Sequence, residues 1–298
     1  MSLFNGCSRS HATSRACYPP ARSSRRDRAD GTIASIRLGG KFSRLLRSAR
    51  MLSSPLEGRF STHLDLTFSE RETLRSLERR ERSFEPGEVV VHEGERLDSL
   101  YIVASGWLHG STQMKGGDRQ ILRFYFVGDV TTTFSIAWGY SAATLQAVSH
   151  TTLFQMPKEA FGHLFRKHPR LGALMFAIAS SEQVAMADRL TSISKTDGFT
   201  RIATLLLDIR SRLRVVDNLE GCSFELPLTQ KDLGDAVGLT KTHVNRSLKA
   251  LEATGLVSRV GRVIRISDTN KLATLVDFND RHSEIDVNWL PPVGAVSM

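Results

Sequence analysis

From Val89 onward the chain runs in short apolar stretches broken by glycine. Val89–His92, Leu100–Ala104, Trp107–Gln113, Gln120–Phe126, Ala143–Val148 and Thr152–Pro157 are rich in β-branched and aromatic residues, which suit a pleated, half-buried surface. Gly87, Gly94, Gly106, Gly116, Gly117 and Gly128 stand between them, where turns favour positive φ. About six to eight short strands at this spacing predict a compact roll or barrel. Before the strands, Ser69 to Phe84 reads as a short helix, with Ser69 as N-cap and Glu72 completing a capping box. After Phe161 the period lengthens. Leu171, Leu174, Ile178, Ser181, Ala185, Leu190 and Ile193 fall at helical spacing and predict one long helix, about Arg170 to Ser194. Its apolar stripe suggests a surface for a second copy of the chain, its own roll being the alternative neighbour. Lys195 to Phe199 breaks the pattern as a hinge near Asp197-Gly198, and a second helix runs from Thr200 to about Leu213.

The segment Leu228 to Ser267 can be built residue by residue. Thr229 caps a helix whose second turn holds Leu233 and Val237, and Gly234 leaves room for a second helix to cross close. Gly238-Leu239 makes the turn. Thr240 caps the next helix, with Val244, Leu248 and Leu251 on its inner face. Lys241, Thr242, Asn245, Arg246 and Lys249 are then left on the outer face. Val257–Val260 and Val263–Ile266, around Gly261-Arg262, read as two short strands of a wing. Together they predict a winged helix-turn-helix, an element that lays its second helix in the DNA major groove.

Charge sharpens this picture in one place and misleads in another. The net charge of +9 resides in residues 1–50, which hold ten Arg and Lys41 against Asp27 and Asp30; the other 248 residues carry 29 groups of each sign. The total therefore says nothing about DNA. Lys241 to Arg265 does, with six basic residues and the single acid Glu252. The first fifty residues have too little apolar material to build a core. They read either as a basic disordered arm or as the product of a start site that truly lies at Met51, with a transit peptide a weaker third reading. No apolar run reaches the ~20 residues a spanning helix needs. The three cysteines, Cys7, Cys17 and Cys222, exclude a disulfide scaffold and suggest a reducing, cytoplasmic compartment. No phosphate loop, nucleophile elbow, HExxH or CxxC motif occurs, so an enzyme is not expected.

The order of a glycine-punctuated β-roll, a long helix and a winged helix-turn-helix resembles the Crp–Fnr transcription regulators over about Phe60 to Asp280. GEVVVHEGERLDSLYIVASGWL (87–108) and LTQKDLGDAVGLTKTHVNRSLKALEATGLV (228–257) are the most specific stretches. The texture is closest to alphaproteobacterial members without a recognised cofactor motif. The resemblance implies an α+β chain: an N-terminal β-roll of the cyclic-nucleotide-binding-like jelly-roll type, a long dimerisation helix and a C-terminal winged helix-turn-helix. It places the recognition helix at Lys241–Leu251 and the base-reading arginine at Arg246, suited to guanine O6/N7. Thr242 stands where members of the family usually carry a glutamate, so the usual half-site is not assumed. Lys241, His243, Asn245 and Lys249 are further candidates for base or phosphate contact, with Thr229 and Gln230 at the first helix. Arg259, Arg262 and Arg265 on the wing are expected at phosphates, which position without specifying.

For the sensor, the resemblance sets Thr132 and Thr133 where cyclic-nucleotide binders carry Gly-Glu, and Tyr140-Ser141 where they carry Arg-Ser. A phosphate buried without its arginine is disfavoured, so neither cyclic AMP nor cyclic GMP is expected. Two N-terminal cysteines and none in the roll do not make an iron–sulfur site. His63, His92, His109, His150, His163 and His168 show no ligand spacing. Trp107, Phe124, Phe126, Phe134 and Trp138 line a pocket or, the blander reading, fill the roll core. Cys222 is read as inert. No cofactor is expected. The domain expectation is a tail or mis-assigned start over 1–58, the roll over 59–166, the dimerisation helix and hinge over 167–198, the DNA-binding domain over 199–280 and a tail over 281–298. The expected function is a homodimeric, sequence-specific regulator on a near-palindromic site of double-stranded DNA, acting on RNA polymerase and not associated with a membrane. The alternative is a cyclic-nucleotide-responsive regulatory module.

Overall fold

The computed structural model describes residues 54–217 and 221–293; the basic segment and its two cysteines lie outside them. Two short helices come first, α1 (Pro55–Ser61) and α2 (Phe68–Ser76). Ser54 caps α1 by accepting the Glu57 backbone N–H at 3.0 Å. Leu56 and Phe60 are each 1 % exposed and pack with Leu74, Leu100 and Ile102. The roll's own core therefore begins ahead of the expected boundary at residue 59.

The helix expected over Ser69 to Phe84 is half right. α2 stops at Ser76, and Arg80–Phe84 is a strand, β1, paired antiparallel with the last roll strand (Arg80↔Gln155, Phe84↔Thr151). β1 is an edge strand with only Phe84 buried. It has no in–out alternation to betray it, and tertiary pairing overrides the helix preference of its charged residues. The capping box sits two residues earlier than expected. Thr67 Oγ1 accepts the Glu70 N–H at 3.3 Å and Glu70 Oε2 accepts the Thr67 N–H at 2.8 Å. Ser69/Glu72 has the same local chemistry, but Glu70 alone also reaches Arg170, at 3.4 Å.

The remaining roll strands are β2 (Val89–Val91), β3 (Ser99–Ser105), β4 (Leu108–Gln113), β5 (Arg119–Tyr125), β6 (Val130–Thr131), β7 (Thr144–Ala147) and β8 (Thr151–Pro157). They form two four-stranded antiparallel sheets, ordered β1-β8-β3-β6 and β2-β7-β4-β5. Val91, Leu108, Tyr125 and Leu145 of one sheet meet Phe84, Tyr101, Val103 and Leu153 of the other in a common core, each such burial worth roughly 1.5–3 kcal/mol.

Helix α3 (Lys158–Lys167) leaves the roll, and the long helix α4 spans Pro169–Lys195. After the hinge, α5 (Gly198–Asp217) opens the head. A short strand β9 (Ser223–Glu225), which carries no sequence signal of its own, pairs with the wing. Helices α6 (Gln230–Val237) and α7 (Lys241–Ala253) are followed by the wing strands β10 (Val257–Val260) and β11 (Val263–Ile266), and then α8 (Thr269–Leu275).

Roll and head share one core. Ile121, Phe124 and Phe126 lie in the same cluster as Ile202, Leu206 and Ile209 of α5 and Leu233 and Val237 of α6. β5 is a sheet edge, normally an exposed row of unpaired carbonyls. Here Arg189 of α4 donates to Leu122 O at 2.8 Å and Arg212 of α5 to Phe124 O at 2.7 Å. Arg212 also meets Asp129 at 2.5 Å, both side chains 4 % exposed or less. Burial alone would raise the Asp129 carboxyl, but Arg212 and Arg59 outweigh it and hold it below its usual range.

Residues past 280 are no free tail. Asp280 accepts from Ser211 Oγ at 2.5 Å, His282 Nε2 meets Asp208 at 3.0 Å, and Arg281 pairs with Asp188 of α4 at 2.7 Å. Val287 and Leu290 then pack into the cluster of α1 and the roll.

Candidate DNA-reading surface

Both helices of the motif are fixed by local chemistry. Thr229 Oγ1 accepts the Asp232 N–H at 3.1 Å, and Asp232 Oδ2 accepts the Thr229 N–H at 2.9 Å, a reciprocal cap on α6. Gly238 ends α6 at φ +66°, a left-handed turn that suits glycine. A side chain on Gly234 would drive into the Leu239 carbonyl, so the close approach is to the turn as well as to the second helix. Thr240 caps α7, and its hydroxyl lies 2.9 Å from His243 Nδ1. Val244, Leu248 and Leu251 are buried beneath.

Lys241, Thr242, His243, Arg246 and Lys249 are exposed on the outer face of α7, with Asn245 half-buried at its side. The Arg246 guanidinium has no hydrogen bond or ion pair with any described residue. Thr229 is exposed and Gln230 half-buried at the start of α6. On the wing Arg259, Arg262 and Arg265 are all exposed. Arg259 sits 3.5 Å from Glu252, which neutralises the one acid of the basic segment and holds the wing's base against α7. Val260, at the wing tip, is 80 % exposed.

Residues 81–168 match the cyclic nucleotide-binding domain and residues 200–275 the Crp-like helix-turn-helix domain. The chain is 27 % identical over 206 residues to the fumarate and nitrate reduction regulatory proteins of Salmonella typhimurium and of Escherichia coli K12, covering 69 % of this chain and 82 % of each relative. The chain belongs to the Crp–Fnr regulators. It is a DNA-binding transcription regulator of that type. Its fold is also that of FixK2 from Bradyrhizobium japonicum (TM-score 0.59, 24 % identity, 65 % of this chain and 96 % of that one). A CooA mutant from Carboxydothermus hydrogenoformans shares it as well (TM-score 0.54, 18 % identity, 66 % and 87 %).

In this Crp–Fnr chain the stretch aligned with nucleotide contacts is tied up internally. Thr132 takes φ +61°, a left-handed conformation costly for a β-branched residue, at the position that the family resemblance fills with glycine. Its hydroxyl donates to Thr131 O at 2.6 Å, and buried Ser141 donates to Ala143 O at 2.7 Å. Tyr140 is exposed, and Thr133 opens a single 3-10 turn. The expected aromatic group is split. Phe124 and Phe126 are buried in the shared core, with Trp107 edge-on to Phe126 at 4.6 Å, whereas Phe134 and Trp138 are exposed. Cys222 is half-buried at the start of β9, its carbonyl accepting from Ile266 N at 2.8 Å. Among the described residues, no three His, Cys, Asp or Glu side chains gather where a metal could sit, and no helix is long and apolar enough to cross a membrane. A cleft of about 270 Å³ lies between α4, α5 and the chain after α8, lined by Arg189, Ile193, Arg201, Asp208, Phe278 and Arg281.

Sequence reading missed two charged groups that hold the head in place: Arg119 of the roll with Asp232 and Asp235, and Asp208 of α5 with Arg189 of α4 and His282. Their partners lie up to 116 residues apart, beyond any local spacing rule.

Proposed function

We propose that this regulator binds a near-palindromic site on double-stranded DNA as a homodimer, each copy laying α7 in the major groove. The uncommitted, exposed guanidinium of Arg246 on a capped helix carries this reading; it is poised to pair with guanine O6/N7. Lys241, Thr242, His243, Asn245 and Lys249 flank it as base or phosphate contacts. Thr229, Gln230, Arg259 and Arg262 meet the backbone on either side. Dimerisation is supported by α4, where Phe176, Gln183, Ala187 and Leu190 line one exposed face at coiled-coil spacing, with Phe176 66 % and Leu190 68 % exposed. The two recognition helices then sit about one DNA turn apart. The protein acts on RNA polymerase in the cytoplasm by binding rather than by catalysis, and without a cyclic nucleotide.

Selection of bound sites from random DNA tests specificity, symmetry and spacing together. Arg246→Ala is expected to lose about 1–3 kcal/mol of discrimination at one base pair of each half-site while its dimer stays intact by sedimentation. An unchanged selected motif in that variant refutes the assignment.

A further inference from the structure

Three consecutive residues of β5 grip the first helix of the helix-turn-helix. Arg119 Nη2 donates to Asp232 Oδ1 at 2.5 Å and Arg119 Nε to Asp235 Oδ2 at 2.7 Å. Gln120 Nε2 donates to Ala236 O at 3.4 Å. Ile121 is buried in the core that holds Leu233 and Val237. Behind the guanidinium, Nη1 donates to His109 Nε2 at 3.1 Å, so the roll orients the arginine before the head meets it. The three charged side chains are 24 %, 16 % and 17 % exposed, shielded enough for the pairs to hold against salt.

The geometry matters more than the charge. Asp232 and Asp235 lie three residues apart, on one face of α6. A rigid planar fork spanning both restrains rotation of α6 about its axis as well as its distance from the roll, which one point charge does not do. Orientation passes from α6 to α7 because the Gly234–Leu239 approach and the buried Leu233, Val244 and Leu248 leave the two helices no room to slide. Arg212 anchors α5 to Asp129 and Phe124, but among the described residues both ion pairs from the roll to the helix-turn-helix itself come from Arg119.

We propose that Arg119 is a positioning residue for DNA reading: clamped on Asp232 and Asp235, it sets the tilt of α7 relative to the roll and long helix, and thereby selects the half-site spacing that the dimer accepts. This rests on the two-headed reading proposed above. Moving one half-site by a base pair rotates it by about 35°, which a clamped head cannot follow and a loosened head can.

The test measures binding of the full chain to the selected site and to versions with the half-sites one base pair closer or farther. The wild type is expected to lose at least ~10-fold in affinity at either altered spacing. Arg119→Gln is expected to bind the native spacing ~3–10-fold more weakly, because the competent orientation is populated less, and to lose most of its penalty at altered spacing. Arg119→Lys should fall between, and Asp235→Asn should repeat the Arg119→Gln pattern; it also carries the test if Arg119→Gln does not fold. Variants that keep the wild-type spacing penalty in full overturn the proposal. A wild type that is indifferent to spacing overturns the two-headed reading instead, and this inference with it.

Discussion

His109 shows how a single side chain is constrained by its neighbours. It is 2 % exposed, its Nε2 must accept from Arg119, and its Nδ1 has no partner. Burial first, and the Arg119 charge second, push its imidazole down to about 4, against the pull of Asp232 and Asp235. An unfolded histidine titrates near 6.5, so between about pH 6.5 and 4 the unfolded chain binds the extra proton and stability falls on acidification. His63, half-buried beside Arg59 and also pushed to about 4, adds to the same window. From pH 7 to pH 5, His109→Gln is expected to lose about 2 kcal/mol less stability than the wild type in urea denaturation. Equal losses in both proteins would show that His109 is already charged when folded. At the opposite pole is Arg246, which is exposed and has no hydrogen bond or ion pair among the described residues, as its proposed role of base contact requires.

At the scale of elements, the helix-turn-helix was legible almost residue for residue, because caps, a glycine turn and an i, i+4, i+7 inner face are all local chemistry. Gly234 is its tightest point. Gly234→Ala places a methyl group against a backbone carbonyl that cannot swing aside, and an overpacked site of this kind costs typically 1–3 kcal/mol. That loss should appear in thermal melting followed by circular dichroism, together with weaker DNA binding; a variant as stable as the wild type would mean the turn is loose. β1, β6 and β9 were not legible. Arg80–Phe84 is polar on both faces, Val130–Thr131 is two residues long, and Ser223–Glu225 has one buried residue. Such strands exist because a neighbour offers them hydrogen bonds. The edge of β5 makes the same point, since arginines 189 and 212, from two different helices, satisfy its carbonyls.

Among the described residues the head is bolted to the roll at several places, and one face of α4 stays exposed. Arg123 pairs with Glu182 of α4 on the inner side, the chain after α8 lies against Ser181 and Asp188, and Phe176 and Leu190 point elsewhere. Leu190→Glu puts a carboxylate on that exposed stripe. It is expected to shift the protein from dimer to monomer in sedimentation, with DNA affinity falling more than tenfold because two linked heads become one. Since Leu190 is 68 % exposed in the single chain, the monomer should stay folded. A variant still dimeric would move the interface off this helix.

Taken alone, the amino-acid order settled what short-range chemistry can settle: the long helix, the two helices of the helix-turn-helix, most of the glycine-separated strands, where the wing turns, and which face of Lys241–Ala253 stays polar. Each of these depends on residues within about a turn or a hairpin of one another. Only the tertiary structure decided that Arg119 holds the head, that Asp129 lies between Arg59 and Arg212, that Thr67 rather than Ser69 starts α2, and that Leu290 returns to the roll. Those outcomes depend on which distant surfaces bury one another, and a buried charge finds its partner by position in space, which sequence separation does not encode.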